Sequence, residues 1–152
     1  MLKNILIFAV VIIILIAISY FSISTLTSAR NQKIADIKGH RISLEIADDE
    51  AEQRKGLSAR DSLPKDKGML FKFKKADTHT FWMKDMRFPI DIIFINNDKI
   101  VTIYENVQPE NDKNANLSLY TSTKPADKVI EINAGLAKEF GLKTGETLRL
   151  PN

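Results

Sequence analysis

The run Thr80-Phe81-Trp82-Met83-Lys84-Asp85-Met86-Arg87-Phe88-Pro89-Ile90-Asp91 sets charged side chains among large apolar ones and holds the chain's only tryptophan. Charges are costly to bury unless paired, so a stretch made only to fill a core would not carry Lys84, Asp85, Arg87 and Asp91. Two chemistries fit these residues. The first is binding, with Trp82 as a flat platform for a sugar ring or peptide, Lys84 beside it for an anionic group, and Arg54 and Arg60 as further anion contacts. The second is general acid–base catalysis of a hydrolysis, in which Asp91, set in the apolar strand Ile90–Ile95, pairs with Glu131 or Asp85.

Each candidate also has a structural role, and for Trp82 and Asp91 that role is the expectation. A lone tryptophan is more often a core residue whose indole N–H finds a partner than a ligand platform. Asp91 is expected to be a structural carboxylate tied to Arg54, Arg60 or Arg87. If the stretch is extended, His79, Phe81 and Met83 face one way and Thr80, Trp82 and Lys84 the other. One face then serves the core.

Other chemistries are poorly supplied. With no cysteine there is no disulfide, thiolate nucleophile or cysteine-based zinc site. The two histidines, His40 and His79, lie far apart in sequence, so no metal site is expected. Asp112-Lys113-Asn114-Ala115-Asn116 resembles the start of a calcium loop, but Leu117 replaces its glycine and Thr123 its bidentate glutamate. Phosphate-cradling glycine loops and Gly-x-Ser-x-Gly elbows are absent, and no cofactor is expected. The net charge is +3, but Lys3 is the only charged side chain before Arg30, leaving the remainder close to balance. The cluster Lys72, Lys74 and Lys75 is short and interleaved with Phe71 and Phe73, so nucleic acid is not an expected partner.

The elements that must position these residues follow from periodicity. Residues 1–24 read as a transmembrane anchor or signal segment: from Ile5 to Ile23 a helix would reach about 28 Å, close to the ~30 Å hydrocarbon core of a bilayer. The alternative is secretion after cleavage near Ala29. Residues 25–39 read as a linker and 40–152 as one globular domain. In that domain Arg41–Ile46 alternates as a strand, and Asp48 or Asp49 caps a short helix through Lys55, with Glu52 completing a capping box and Gly56 ending it. A strand is expected at Gly68–Phe73, and a hairpin pairs Ile90–Ile95 with Lys99–Glu105 through Asn96-Asn97-Asp98. Strands follow at Ser118–Thr121 and Lys128–Ile132, a helix at Ala134–Phe140, and a last strand at Glu146–Leu150. The sum is an α+β domain, a small β-barrel or strongly bent mixed sheet of about seven short strands with two short helices, preceded by one transmembrane helix.

These residues resemble the prokaryotic family grouped as domain of unknown function 192. The resemblance is carried by Glu45-Ile46-Ala47, Arg54-Lys55-Gly56-Leu57 with Arg60, Gly68-Met69-Leu70-Phe71, Phe81-Trp82-Met83-Lys84, Pro89-Ile90-Asp91 and Phe94-Ile95. Val129 to Gly135 and Gly141 to Glu146 match its closing pattern. Three positions depart from it, Asp85 and Met86 where Asn-Thr is usual and Ser58 where Met is frequent, so a role resting on that Asn or Thr does not carry over. The resemblance implies an N-terminal signal or anchor and supplies no reaction. The resulting expectation is a membrane-tethered, extracytoplasmic domain that binds a small molecule or cell-envelope component in an aromatic and charged groove. The alternatives are a hydrolase using a carboxylate pair and an assembly partner of envelope proteins.

Overall fold

The computed structural model describes residues 10–19, 32–110 and 117–151. Residues 10–19 form a helix, α1, whose apolar side chains, from Val10 to Ile18, are exposed. Among the described residues no helix is long and apolar enough to cross a membrane. The remainder of the Ile5–Ile23 run, the Ala29 cleavage position and the calcium-like segment lie outside the described residues.

Strands β1 (Gln32–Ile37) and β2 (His40–Ala47) are neighbours joined at Lys38 and Gly39, which turn with φ of 53° and 87°. Two positive φ values in succession make the turn whose twist matches a hairpin. The stretch read as linker thus contains an edge strand, because Ala35 and Ile37 find burial against the sheet. Its three apolar residues, Ile34, Ala35 and Ile37, do not alternate strictly, so periodicity does not announce the strand in sequence.

After β2, Asp49 caps α2 (Glu50–Lys55) by accepting from the Glu52 N–H at 2.8 Å, while the Glu52 carboxylate reaches back to the Asp48 N–H. Gly56 closes the helix at φ 50°. This crossover makes β2 parallel to β3 (Lys67–Asp77), with Leu44 opposite Gly68 and Ala47 opposite Phe71. A Cβ on Gly68 would stand 2.7 Å from the Glu131 carbonyl and 2.9 Å from the side chains of Leu44 and Ile132, so the close strand approach requires glycine there.

The short strand β4 (Thr80–Phe81) pairs with β7 (Tyr120–Thr121) apart from the main sheet. In the main sheet β5 (Ile90–Asn96) and β6 (Lys99–Val107) form the expected hairpin, turning through Asn97 and Asp98 at φ 46° and 61°. β8 (Ala126–Asn133) runs antiparallel between β3 and β5, and α3 (Leu136–Glu139) follows it. The order is β1-β2-β3-β8-β5-β6, an open mixed sheet and not a closed barrel. The expected last strand is a single bridge of Thr147 to Lys99: Gly145 and Leu148 donate to the carbonyls of Ile100 and Asp98, and Ile100 donates to that of Glu146. This tail covers one edge of β6, which would otherwise present unpaired backbone groups.

The sheet has a core on each face. One is almost wholly aliphatic, with Leu44, Leu70, Ile93, Ile130 and Ile132 under Leu136, Ala137 and Phe140 of α3 and the C-terminal leucines. The other is richer in aromatic and sulfur side chains, with Met69, Phe71, Ile92, Phe94 and Val129 under Leu57, Leu63, Met83 and Phe88. Of the functional candidates, Trp82, Lys84, Arg54 and Glu131 collect above this second face.

Candidate functional site

The stretch around β4 is held over the second face by contacts at both ends. His79 donates its N–H to the Ser122 hydroxyl and accepts at its carbonyl from the Ser122 N–H, and the Thr80 and Thr121 hydroxyls lie 3.0 Å apart. Past Phe81 the chain turns through Asp85 at φ 56°; the Asp85 carbonyl accepts from Ala59, and Arg87 pairs with Asp61. These ties join the turn to the loop that follows α2. The expected alternation holds, since Met83 is fully buried and Phe81 half-buried against Phe71 and Phe94, both edge-on at 4.9 and 5.5 Å. Trp82 lies on the opposite side and is 54% exposed, so the expectation of a core tryptophan is overturned. Met83 and Phe81 already take the core-facing side, and alternation leaves Trp82 the solvent side.

Between this stretch and α2 lies a pocket of about 300 Å³. Phe71, Phe73, His79 and Phe81 supply aromatic walls, Trp82 and Lys84 one lip, and Glu50, Arg54 and Lys55 the other. Glu131 lines it too, only 5% exposed, standing opposite Met69 of β3 and Ile92 of β5. Among the described residues no group donates a hydrogen bond to its carboxylate; Arg60 acts on it only through space. Burial pushes Glu131 up to about 8, against the opposing pull of Arg60. At neutral pH it is therefore mostly protonated. His79 stacks on Phe73 with ring centroids 3.5 Å apart; burial lowers its pKa, and its Nε2 is buried with no partner among the described residues.

The other sequence candidates separate. Arg60 is not in the pocket wall: it grips Glu45 in a two-point ion pair of 2.6 and 2.9 Å, which holds Glu45 below the usual carboxylate range. Arg54 pairs with Glu50 one helical turn away, both exposed. Asp91 is fully buried but projects to the aliphatic face, where its carboxylate accepts from the backbone N–H groups of Asn106, Gly135 and Ala137 at 2.7, 3.0 and 2.8 Å. Its partners are backbone amides and not the expected Arg54, Arg60 or Arg87. Asp85 occupies the turn. The carboxylate pair Asp91–Glu131 is therefore not assembled, because neighbouring register positions on paired strands put the two on opposite faces: Asp91 is opposite Ile132, and Glu131 opposite Ile92. Sequence reasoning missed the aromatic walls. The signal available was the alternation of Phe71 and Phe73 at the end of the expected Gly68–Phe73 strand.

No group of three or more histidine or acidic side chains among the described residues is placed to hold a metal ion. Residues 33–150 match the domain of unknown function 192 (DUF192) family, described as Uncharacterized ACR. The chain belongs to this family. A crystal structure of a protein of unknown function from Novosphingobium aromaticivorans is similar to this DUF192 domain, at 33% identity over 78% of this chain and 83% of its own, with a TM-score of 0.67. A second, of a candidate transcription regulator from Sinorhizobium meliloti, is 32% identical over 78% and 90% of the two chains, with a TM-score of 0.66. No curated protein matches. The DUF192 match ends at the last leucine, Leu150, and takes in the whole sheet from within β1.

Proposed function

We propose that this DUF192 chain is a binding domain that holds a small molecule or cell-envelope component in the pocket between α2 and the Phe81–Lys84 stretch. One observation carries the reading: an exposed tryptophan stands at the lip of a pocket with a buried acid to which none of the described residues donates a hydrogen bond. Apolar walls with a few polar groups are the usual composition of a small-molecule site. An exposed indole beside them is costly to leave in water unless something covers it.

The tether is part of the same proposal. The apolar Ile5–Ile23 run and the exposed aliphatic side chains of α1 support an N-terminal membrane anchor, with the DUF192 domain on the extracytoplasmic side. Fractionation tests it: the full chain should leave the membrane only with detergent, and external protease should cleave the domain in intact spheroplasts. Release by salt or alkali alone would remove the anchor from the reading.

Trp82 is a single fluorescent reporter for the pocket. Titration of the full chain in nonionic micelles with a neutral aromatic probe, benzyl alcohol, should saturate a change in Trp82 emission, and Phe81→Asp should abolish saturation. A linear, non-saturating response equal in both proteins would sink the pocket as a binding site.

A further inference from the structure

We propose that the ligand is a zwitterion that enters ammonium-first, with Glu131 as its counter-ion at the inner end and Lys84, Lys55 and Arg54 receiving its anionic group at the mouth. This rests on the pocket being a binding site and names the chemistry of what fills it. Three observations converge on it.

The first is what the inner end lacks. Glu131 has no hydrogen-bond donor among the described residues, and the nearest cation, Arg60, already spends both arms on Glu45. The polar neighbours are committed elsewhere: the Gln53 amide donates to the carbonyls of Ala47 and Lys72, and the Ser58 hydroxyl donates to that of Lys55. A buried carboxylate without a donor is complemented by a group that brings positive charge and N–H bonds together. The second is the wall. Phe71, Phe73, Phe81 and Trp82 line the same space, and aromatic faces attract an organic cation that has lost its water. The third is the mouth. Lys55 and Lys84 make no ion pair among the described residues, and Arg54 has only its exposed partner Glu50. A purely cationic ligand would meet like charge at the entrance, and a purely anionic one would meet Glu131 within. A zwitterion fits both ends.

A proton linkage follows. Glu131 must give up its proton to pair with an ammonium group, so binding releases a proton near neutral pH and tightens as pH rises, levelling off above about 8, where the free carboxyl ionises. The groups around Glu131 that could contribute are Arg60, with Glu45 of β2 behind it, Glu50, Arg54 and Lys55 of α2 and its end, and His79 and Lys84 flanking β4; Met69 and Ile92 on the adjoining strands carry no charge. Of these, His79 is pushed toward its neutral form by burial.

The test uses three matched probes on the full chain in nonionic micelles, read by Trp82 emission and by calorimetry: 4-(aminomethyl)benzoate, benzylamine without the carboxylate, and 4-methylbenzoate without the ammonium. The first should bind best, roughly 30-fold or more tighter than 4-methylbenzoate, which corresponds to one buried charge pair. Its affinity should rise about tenfold per pH unit below roughly pH 8, with about one proton released per ligand near pH 7. Glu131→Gln should abolish both the preference and the pH slope. Lys84→Gln should weaken 4-(aminomethyl)benzoate by several-fold and tighten benzylamine, which loses a like charge at the entrance, and these opposite signs separate a local charge effect from a folding defect. The inference is overturned if 4-methylbenzoate binds as tightly as 4-(aminomethyl)benzoate, which would make protonated Glu131 a donor to acids, or if the affinity does not change with pH. Failure of all three probes also overturns it, and benzyl alcohol then reports separately whether the pocket binds anything.

Discussion

Asp91 and Glu131 are buried carboxylates on neighbouring strands of one sheet, at adjacent levels of the β5–β8 register, and the chain treats them in opposite ways. Asp91, on the aliphatic face, accepts three backbone N–H groups and joins β5 to β6 and to the start of α3. Gly135 at the head of α3 offers no side-chain cap, and the carboxylate of a distant strand takes that place. Glu131, on the aromatic face, has an open pocket in front of it and no donor among the described residues. Burial alone therefore does not mark a functional acid. The number of partners does, because a carboxylate with three amides has its charge dispersed, whereas one with none favours its neutral form or an incoming cation.

The contrast is open to attack by mutation, with the largest effect expected at Asp91. Asp91→Asn keeps the shape but turns one acceptor into a donor and removes the charge facing three N–H groups, so urea unfolding should show a loss of roughly 3 kcal/mol or more. An effect below about 1 kcal/mol would mean that the three bonds add little. Glu131→Gln should act in the other direction at high pH. The native carboxyl ionises near 8 and the unfolded one near 4.5, so the wild type binds the extra proton when folded and loses stability as pH rises from 4.5 to about 8. Removing the ionisable group should flatten that slope and leave the variant more stable above pH 8 by roughly 2 kcal/mol, after the cost of burying the amide. A wild-type curve level across this window would break the comparison.

Arg60→Gln is expected to cost less, about 1 kcal/mol, by leaving Glu45 half-buried without its partner. Glu45 is held below its ordinary value by Arg60, so it stabilises the wild type above pH 4.5 and that contribution fades as pH falls through its folded pKa. The variant should lose this acid limb, and the Glu131 titration, followed by carboxyl NMR, should move upward as the Arg60 charge disappears. The smallest effect is expected at Trp82, where Trp82→Ala should change stability by less than about 0.5 kcal/mol because the ring is mostly in solvent. A loss of several kcal/mol would mean that Trp82 belongs to the core after all.

Much of the local structure was legible. Asp49, Glu52 and Gly56 bound α2 in the way that capping chemistry requires, and Asn97-Asp98 turns the central hairpin with the left-handed backbone those residues tolerate. The two faces of the Thr80–Lys84 stretch followed from alternation, although that periodicity could not say which side met water. The linker reading missed β1, and the final segment reads as a strand yet makes only one bridge, since both depend on what lies beside them in space.

The sequence by itself determined the elements, their caps and turns, the mixed aromatic and charged character of Phe81–Lys84, and membership of the DUF192 pattern, because those properties depend on residues within a few positions of each other. Tertiary structure decided which buried acid is satisfied and which is left open. Asp91 and Glu131 look alike as single charges in apolar strands, and only the pairing of β5 with β8, together with the cover on each face, sends one to three amides and the other to the pocket beside Trp82. A shift of that pairing by one residue would put both carboxylates on one face.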